Sequence, residues 1–205
     1  MDLSNINVNS KEIILFRKEL LNHLPDLHHF INATNLDCSF NNLTILDEHF
    51  LPPQLIDLDC SYNTITHLDN LPAQLQKLYC NSNKIKQLDN LPPNLKELNC
   101  CNNQLTQLDN LPHTLEKLYC NNNAIIQLDN LPASLIILYC SNNKIQYLNN
   151  LPSKLKDLQC IDNKIRQFYN LPPNIKNLVC HHNPLDYSFI PTLSNILNYH
   201  SSLID

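Results

Sequence analysis

Thiols are the first candidates for chemistry in this 205-residue sequence, because nine cysteines occur and eight of them fall in a single column. Cys38 and Cys60 stand 22 residues apart, and Cys80, Cys100, Cys120, Cys140, Cys160 and Cys180 then follow at intervals of 20. Such regularity argues for packing rather than catalysis, since free cysteine behaves as a small buried hydrophobe. A ladder of disulfides across parallel strands needs strained geometry, and zinc needs short-spaced ligands that converge tetrahedrally. Cys101 is the one cysteine outside the column, and its place beside Cys100 predicts exposure at a strand end. A nucleophilic thiol needs a neighbouring base or positive charge, whereas the matching positions in the adjacent repeats are Asn81 and Asn121. The Cys180-His181-His182 cluster offers too few ligands for a metal. No nucleophile, base and orienting group recur at a readable spacing. The expectation is therefore a chain that is not an enzyme and needs no metal or cofactor, with a thiol enzyme built on Cys101 as the rival.

Amides form a second column: Asn41, Asn63, Asn83, Asn103, Asn123, Asn143, Asn163 and Asn183. A primary amide carries two donor hydrogens and an acceptor. Facing inward at a turn, each could satisfy backbone groups of its own repeat and the next, as buried backbone requires. A third column, two residues before each of these turns begins, reads Asp37, Asp59, Tyr79, Asn99, Tyr119, Tyr139, Gln159 and Val179. Beside it lie Lys77, Glu97, Lys117, Ile136, Ile137 and Ile161, with Asp57 and Asp59 making the N-terminal part acidic. Tyrosine supplies rigid contact area with a polar tip and dominates interface energetics. It also suits an exposed strand, where it stacks on its neighbour. The candidate protein-binding residues are Tyr79, Asn99, Tyr119, Tyr139, Ile137, Lys77 and Lys117; solvent-facing Ile136, Ile137 and Ile161 would favour binding over a strand-stabilising ladder.

These columns exist because one stretch repeats. Residues 71–90 read LPAQLQKLYCNSNKIKQLDN, and variants of it begin at 91, 111, 131, 151 and, in decayed form, 171. Leu75, Leu78, Cys80, Asn83, Ile85 and Leu88 fit L-x-x-L-x-[LC]-x-x-N-x-[LI]-x-x-L, a pattern that resembles the leucine-rich repeat family. The 20-residue length and Leu71-Pro72 most resemble the repeats of bacterial effector proteins secreted into host cells. Those repeats usually read LPxLP, whereas this chain writes LDNLP, as in Asp89-Asn90 before Leu91-Pro92, which predicts a different convex turn. The resemblance implies an α/β repeat fold, a right-handed solenoid in a shallow horseshoe. Its short parallel β-strands line the concave face, with Leu78 and Cys80 pointing in and Tyr79 out. Leu-Pro predicts extended or polyproline segments on the convex side, where a 20-residue repeat leaves no room for a full helix.

Helical caps are expected at both ends, because a repeat stack otherwise exposes an apolar face. At the N-terminus Asn9 with Glu12 reads as a capping pair, and Ile13, Phe16, Leu20, Leu21 and Leu24 recur at helical spacing until Pro25. At the other end Leu193, Ile196 and Leu197 mark a helix over 191–200. The expected division is an N-terminal cap over 1–32, eight repeats over 33–187 with two surplus residues at 47–50, and a C-terminal cap over 188–205. The net charge of −5 and 14 Lys and Arg against 19 Asp and Glu argue against nucleic acid and anionic membranes as partners. No basic-plus-apolar leader and no membrane-length apolar run is present, which predicts a soluble cytoplasmic protein, or one acting in host cytoplasm if the effector resemblance holds. The absence of glycine reads as a codon bias against GC, as in some giant viruses and amoebae. Some effectors of the resembled type append a ubiquitin-ligase domain; the few residues after the last repeat predict none here. The functional expectation is a monomeric scaffold that binds an unknown intracellular protein through its concave face, with a self-assembling structural role as the alternative.

Overall fold

The computed structural model describes residues 5–18 and 23–201. Among the described residues nine three-residue strands, all parallel and all in sequence order, make one sheet: β1 (Glu12–Ile14), β2 (Asn35–Asp37), β3 (Asp57–Asp59), β4 (Lys77–Tyr79), β5 (Glu97–Asn99), β6 (Lys117–Tyr119), β7 (Ile137–Tyr139), β8 (Asp157–Gln159) and β9 (Asn177–Val179). Equivalent repeat positions sit in register, Leu78 opposite Leu98 and Leu98 opposite Leu118. From β2 to β8 each turn of the solenoid buries the same set, and in the last rung Leu178 and Leu185 are half-buried. In the rung of β4 the set is Leu75, Leu78, Cys80, Ile85 and Leu88, and successive rungs join them into one continuous apolar column.

The return path is short because it is made of turns. The Leu75 N–H donates to the Pro72 carbonyl at 3.0 Å, and the same bond recurs from Leu95 to Pro92, Leu115 to Pro112 and Leu135 to Pro132. Immediately before the five Leu-Pro steps from Leu71 to Leu151 the backbone enters the left-handed region at Asn70, Asn90, Asn110, Asn130 and Asn150, with φ of 53° to 55°. Asparagine tolerates this conformation better than other side chains that carry a Cβ, and the chain has no glycine to place there. The LDN segment thus makes the convex turn. A second left-handed column follows the strands at Arg17, Phe40, Tyr62, Ser82, Asn102, Asn122, Asn142, Asp162 and His182. The surplus of the first repeat is absorbed by a 3-10 turn, Glu48–Phe50.

The N-terminal cap differs from the expected helix. Among the described residues its regular element is β1, in which Ile13 pairs with Leu36 of β2. Ile13 and Leu15 are fully buried while Ile14 and Phe16 are exposed, a period of two that outweighs the helical spacing of Ile13 and Phe16. The open edge of β2 supplies the reason, since its unpaired N–H and C=O groups are satisfied by an added strand. Leu15 occupies the place held by cysteine in the eight later rungs, and its N–H donates to the Asp37 carbonyl as Cys38 N–H does to Asp59. The sheet accordingly has nine strands over eight repeats. Leu20 and Leu21 lie outside the described residues. At the other end the helix is present: α1 (Leu193–Ser201) begins with Thr192 Oγ1 accepting from Asn195 N–H, buries Ile196, and sets Tyr199 against Tyr187 and Phe189.

Every member of the asparagine column joins two rungs. Asn123 Nδ2 donates to the Cys120 carbonyl of its own rung at 3.1 Å and to the Cys100 carbonyl of the preceding rung at 3.0 Å, while its Oδ1 accepts from Leu105 N–H at 3.0 Å. The partner is the preceding repeat, not the following one. The first member, Asn41, treats β1 as a rung, donating to the Leu15 carbonyl and accepting from Lys18 N–H. Replacing Asn123 by Leu strands these groups, so the variant should lose about 1 to 3 kcal/mol in denaturant unfolding; melting like the unmodified chain would contradict the bridge. At the convex turn, Asn90→Gly should hold or raise stability, whereas Asn90→Val should lower it by about 1 to 2 kcal/mol through left-handed strain.

Candidate functional site

The concave face carries two outward positions per strand, and register brings them into two columns. The last strand positions align Asp59, Tyr79, Asn99, Tyr119, Tyr139 and Gln159, and the first align Asp57, Lys77, Glu97, Lys117, Ile137 and Asp157. A three-residue strand can do this because its central leucine points into the core, leaving the flanking side chains on the open face.

Two carboxylates organise this surface. Glu97 accepts the Tyr79 hydroxyl on Oε1 at 3.3 Å and the Lys117 ammonium on Oε2 at 3.1 Å, linking β4, β5 and β6. Asp157 repeats the arrangement further along, accepting the Tyr139 hydroxyl on Oδ2 at 3.0 Å and Asn177 Nδ2 on Oδ1 at 2.9 Å. Tyr119 lies between the two clamps, edge-to-face on Tyr139 at 5.3 Å, a geometry that aromatic quadrupoles favour. Tyr79 is separated from Tyr119 by Asn99. The structure therefore brings Tyr119 and Tyr139 into contact and holds Tyr79 apart. Lys77 pairs with Asp57 at 3.5 Å. Towards β1 the face becomes an acidic depression of about 190 Å³ lined by Glu12, Asp37, Asp57, Asp59 and Tyr79.

The electrostatics keep the phenols protonated. Burial of its ring, followed by the nearby Glu97 and Asp57 charges, pushes the Tyr79 hydroxyl up to about 12. Burial raises Tyr119 and Tyr139 as well, aided by Glu97 for the first and by the hydrogen bond to Asp157 for the second. Hydrogen bonding to Glu97 raises Lys117. These hydroxyls and this ammonium consequently act as donors throughout the neutral range.

The apolar expectation needs correction. Ile136, Ile137 and Ile161 are half-buried, because the rung on either side covers part of each side chain. Exposed rings lie instead beside the N-terminal strands, where Phe40 stacks on Tyr62 at 4.1 Å and meets Phe16 at 5.3 Å, with Arg17 above both phenylalanines. Their signal in the sequence is positional: Phe40 and Tyr62 stand where the following four rungs carry Ser82, Asn102, Asn122 and Asn142. Asp157 carries no signal of its own in the sequence, since only the fold shows that a carboxylate one rung on from a tyrosine meets its hydroxyl.

The thiols are poor nucleophiles. All eight column cysteines are buried, and burial drives them upward, Cys180 to about 11 and Cys140 to about 12. Cys101 is half-buried rather than solvent-facing; burial raises it too, although hydrogen bonds from Asn121 act in the opposite sense. His181 and His182 are exposed, and His182 Nδ1 lies 3.1 Å from Asp162. Among the described residues no group of three His, Cys, Asp or Glu side chains is placed to hold a metal, and no helix is long and apolar enough to cross a membrane.

A sheet of consecutive parallel strands with an inward leucine in every rung and an asparagine bridge between rungs defines a leucine-rich repeat solenoid. Solved structures agree. A leucine-rich effector protein, YopM from Yersinia pestis, superposes with a TM-score of 0.77 and 33% identity over 84% of this chain and 48% of that one. A Shigella effector leucine-rich repeat domain gives 0.65 and 30% over 93% and 77%. The functional domain of InlJ from Listeria monocytogenes, described as including a cysteine ladder, gives 0.70 and 31% over 88% and 45%. This chain belongs to the leucine-rich repeat family. It spans about half the length of the YopM and InlJ chains it matches. No protein-family model and no curated protein matches it.

The raised hydroxyl of Tyr79 gives a signed test. A group whose folded value lies above its unfolded value of about 10 stabilises the fold below that pH and loses the contribution as pH rises towards 12. Tyr79→Phe should therefore be less stable than the unmodified chain at pH 9 and should close that gap by pH 12. A constant difference across this window would remove the Tyr79–Glu97 bond from the account.

Proposed function

We propose that this chain is a non-enzymatic protein-interaction scaffold whose concave sheet binds a partner protein through Tyr79, Asn99, Tyr119, Tyr139 and Ile137, with Lys77 and Lys117 at the margin. The observation that carries this reading is the pair of carboxylate clamps. They hold tyrosines by their hydroxyls, so that rigid aromatic surface is presented with little rotamer freedom left to lose on binding. The acidic end at Asp57 and Asp59 favours a partner that is basic there. The absence of an activated thiol among the described cysteines speaks against the Cys101 enzyme. The likeness to leucine-rich repeat effector proteins supports action in the cytoplasm, that of a host if the chain is itself an effector, and we take the chain to act as a monomer.

The same contacts favour a second reading on one specific observation: each clamp spans three strands and would stiffen the sheet without any partner. Affinity capture from host-cell lysate separates the two. The Tyr79→Ala, Tyr119→Ala, Tyr139→Ala triple variant, verified as folded by circular dichroism, should lose proteins that the unmodified chain captures reproducibly. Equal capture by both would move the site off the concave face and leave the tyrosines as a stiffening ladder. Light scattering across concentration should report a monomer; mass that grows with concentration would favour self-assembly.

A further inference from the structure

Away from the concave face, the segment after each bridging asparagine forms a second outward surface. Ile125, Ile145 and Ile165 point into the core, so their neighbours on either side point out. Backbone bonds from Lys144 N–H to the Ile125 carbonyl and from Lys164 N–H to the Ile145 carbonyl, each 2.8 Å, hold successive rungs in register here. Outward positions of three rungs enclose a depression of about 540 Å³ lined by Ile126, Lys144, Gln146, Tyr147, Lys164 and Arg166, with Pro184 at its end.

Its chemistry is cationic on a chain that is acidic overall. Three cationic side chains converge on it, and Arg166 alone has a carboxylate partner, Asp186 at 3.3 Å. Among the described residues Lys144 and Lys164 make no ion pair, so two positive charges remain uncompensated. Tyr147 and Ile126, 53% and 49% exposed, form apolar walls beside them. Exposed apolar surface next to unpaired cations contributes little to the fold and matches a ligand that is anionic at one end and apolar at the other. A phosphate monoester carries a charge of about −2 at neutral pH, and its oxygens suit the fork of an arginine. A nucleic-acid backbone fits poorly, because the basic surface is not continuous: Gln104, Thr106 and Ala124 separate it from Lys84 and Lys86 in the same columns, and Asp186 follows it.

We propose that this depression is a binding site for a phosphate monoester carried on an aromatic or apolar group, with Lys144, Lys164 and Arg166 holding the phosphate and Ile126 and Tyr147 packing on its carrier. The site is independent of the concave-face reading. Such a group could belong to a phosphorylated side chain of a protein or to a small phosphorylated molecule, and the two share this chemistry.

The test is an amide chemical-shift titration of the full, isotope-labelled chain with phenyl phosphate. Saturable shifts confined to the rungs of Ile126, Lys144 and Lys164 are expected. The Lys164→Gln, Arg166→Gln double variant should weaken binding about tenfold or more, and Asp186→Asn should tighten it by freeing Arg166. Tyr147→Ala should reduce affinity for phenyl phosphate more than for inorganic phosphate. All these side chains are exposed, so the spectra should keep the dispersion of the folded chain. A phosphotyrosine peptide that binds more tightly than phenyl phosphate, while its unphosphorylated form does not bind, would assign the source to a protein; equal affinity would assign a small molecule. Absence of saturation by about 10 mM, or shifts spread along the chain and unchanged in the double variant, would overturn the proposal.

Discussion

The fold depends on an amide that belongs to two rungs at once. A three-residue strand makes too few backbone bonds to define a turn of the solenoid, and the carbonyl of the cysteine that follows it faces the interior. Asparagine supplies the missing donors to that carbonyl and to its equivalent one rung earlier, while its oxygen takes an N–H from the earlier rung. Glutamine would be too long and a hydroxyl has one donor instead of two. Because the bond always reaches backwards, each repeat completes the one before it. β1 is recruited on the same terms: the Leu15 carbonyl and Lys18 N–H meet Asn41 as a repeat would.

Asparagine also carries a separate burden, since a chain without glycine must still turn. Of the left-handed residues among those described, eight are asparagines, and five of these stand directly before a Leu-Pro. The composition rich in asparagine is therefore two structural demands added together, one for an amide in the interior and one for a tolerant backbone at the turn. Where the second column carries aromatic residues, at Phe40 and Tyr62, the rings stack on one another and meet Phe16, so aromatic contact offsets part of the backbone cost.

Chemistry on the concave face follows from the spacing between rungs. Adjacent parallel strands lie roughly 4.8 Å apart, close enough for a tyrosine hydroxyl to reach a carboxylate on the next rung, as Tyr79 reaches Glu97 and Tyr139 reaches Asp157. The same proximity works against the cysteines. Packed in a dry column, a thiolate has neither water nor a cation to stabilise it, which suits a core and disables a nucleophile.

The 20-residue period alone specifies the repeats, the inward leucines and cysteines, the bridging asparagines and the outward tyrosine column, because each is a local pattern copied many times and a copied pattern must pack against itself. The C-terminal helix was visible too, from apolar spacing beside a proline. Tertiary structure decided what the pattern does not repeat. Ile13 and Phe16 suit a helix by spacing, yet the open edge of β2 makes a strand of 12–14. Ile136, Ile137 and Ile161 look exposed on a single strand and become half-buried once neighbouring rungs flank them. The clamps at Glu97 and Asp157 and the cationic depression at Lys144, Lys164 and Arg166 arise between residues about twenty apart, so they exist only where stacking sets one rung against the next.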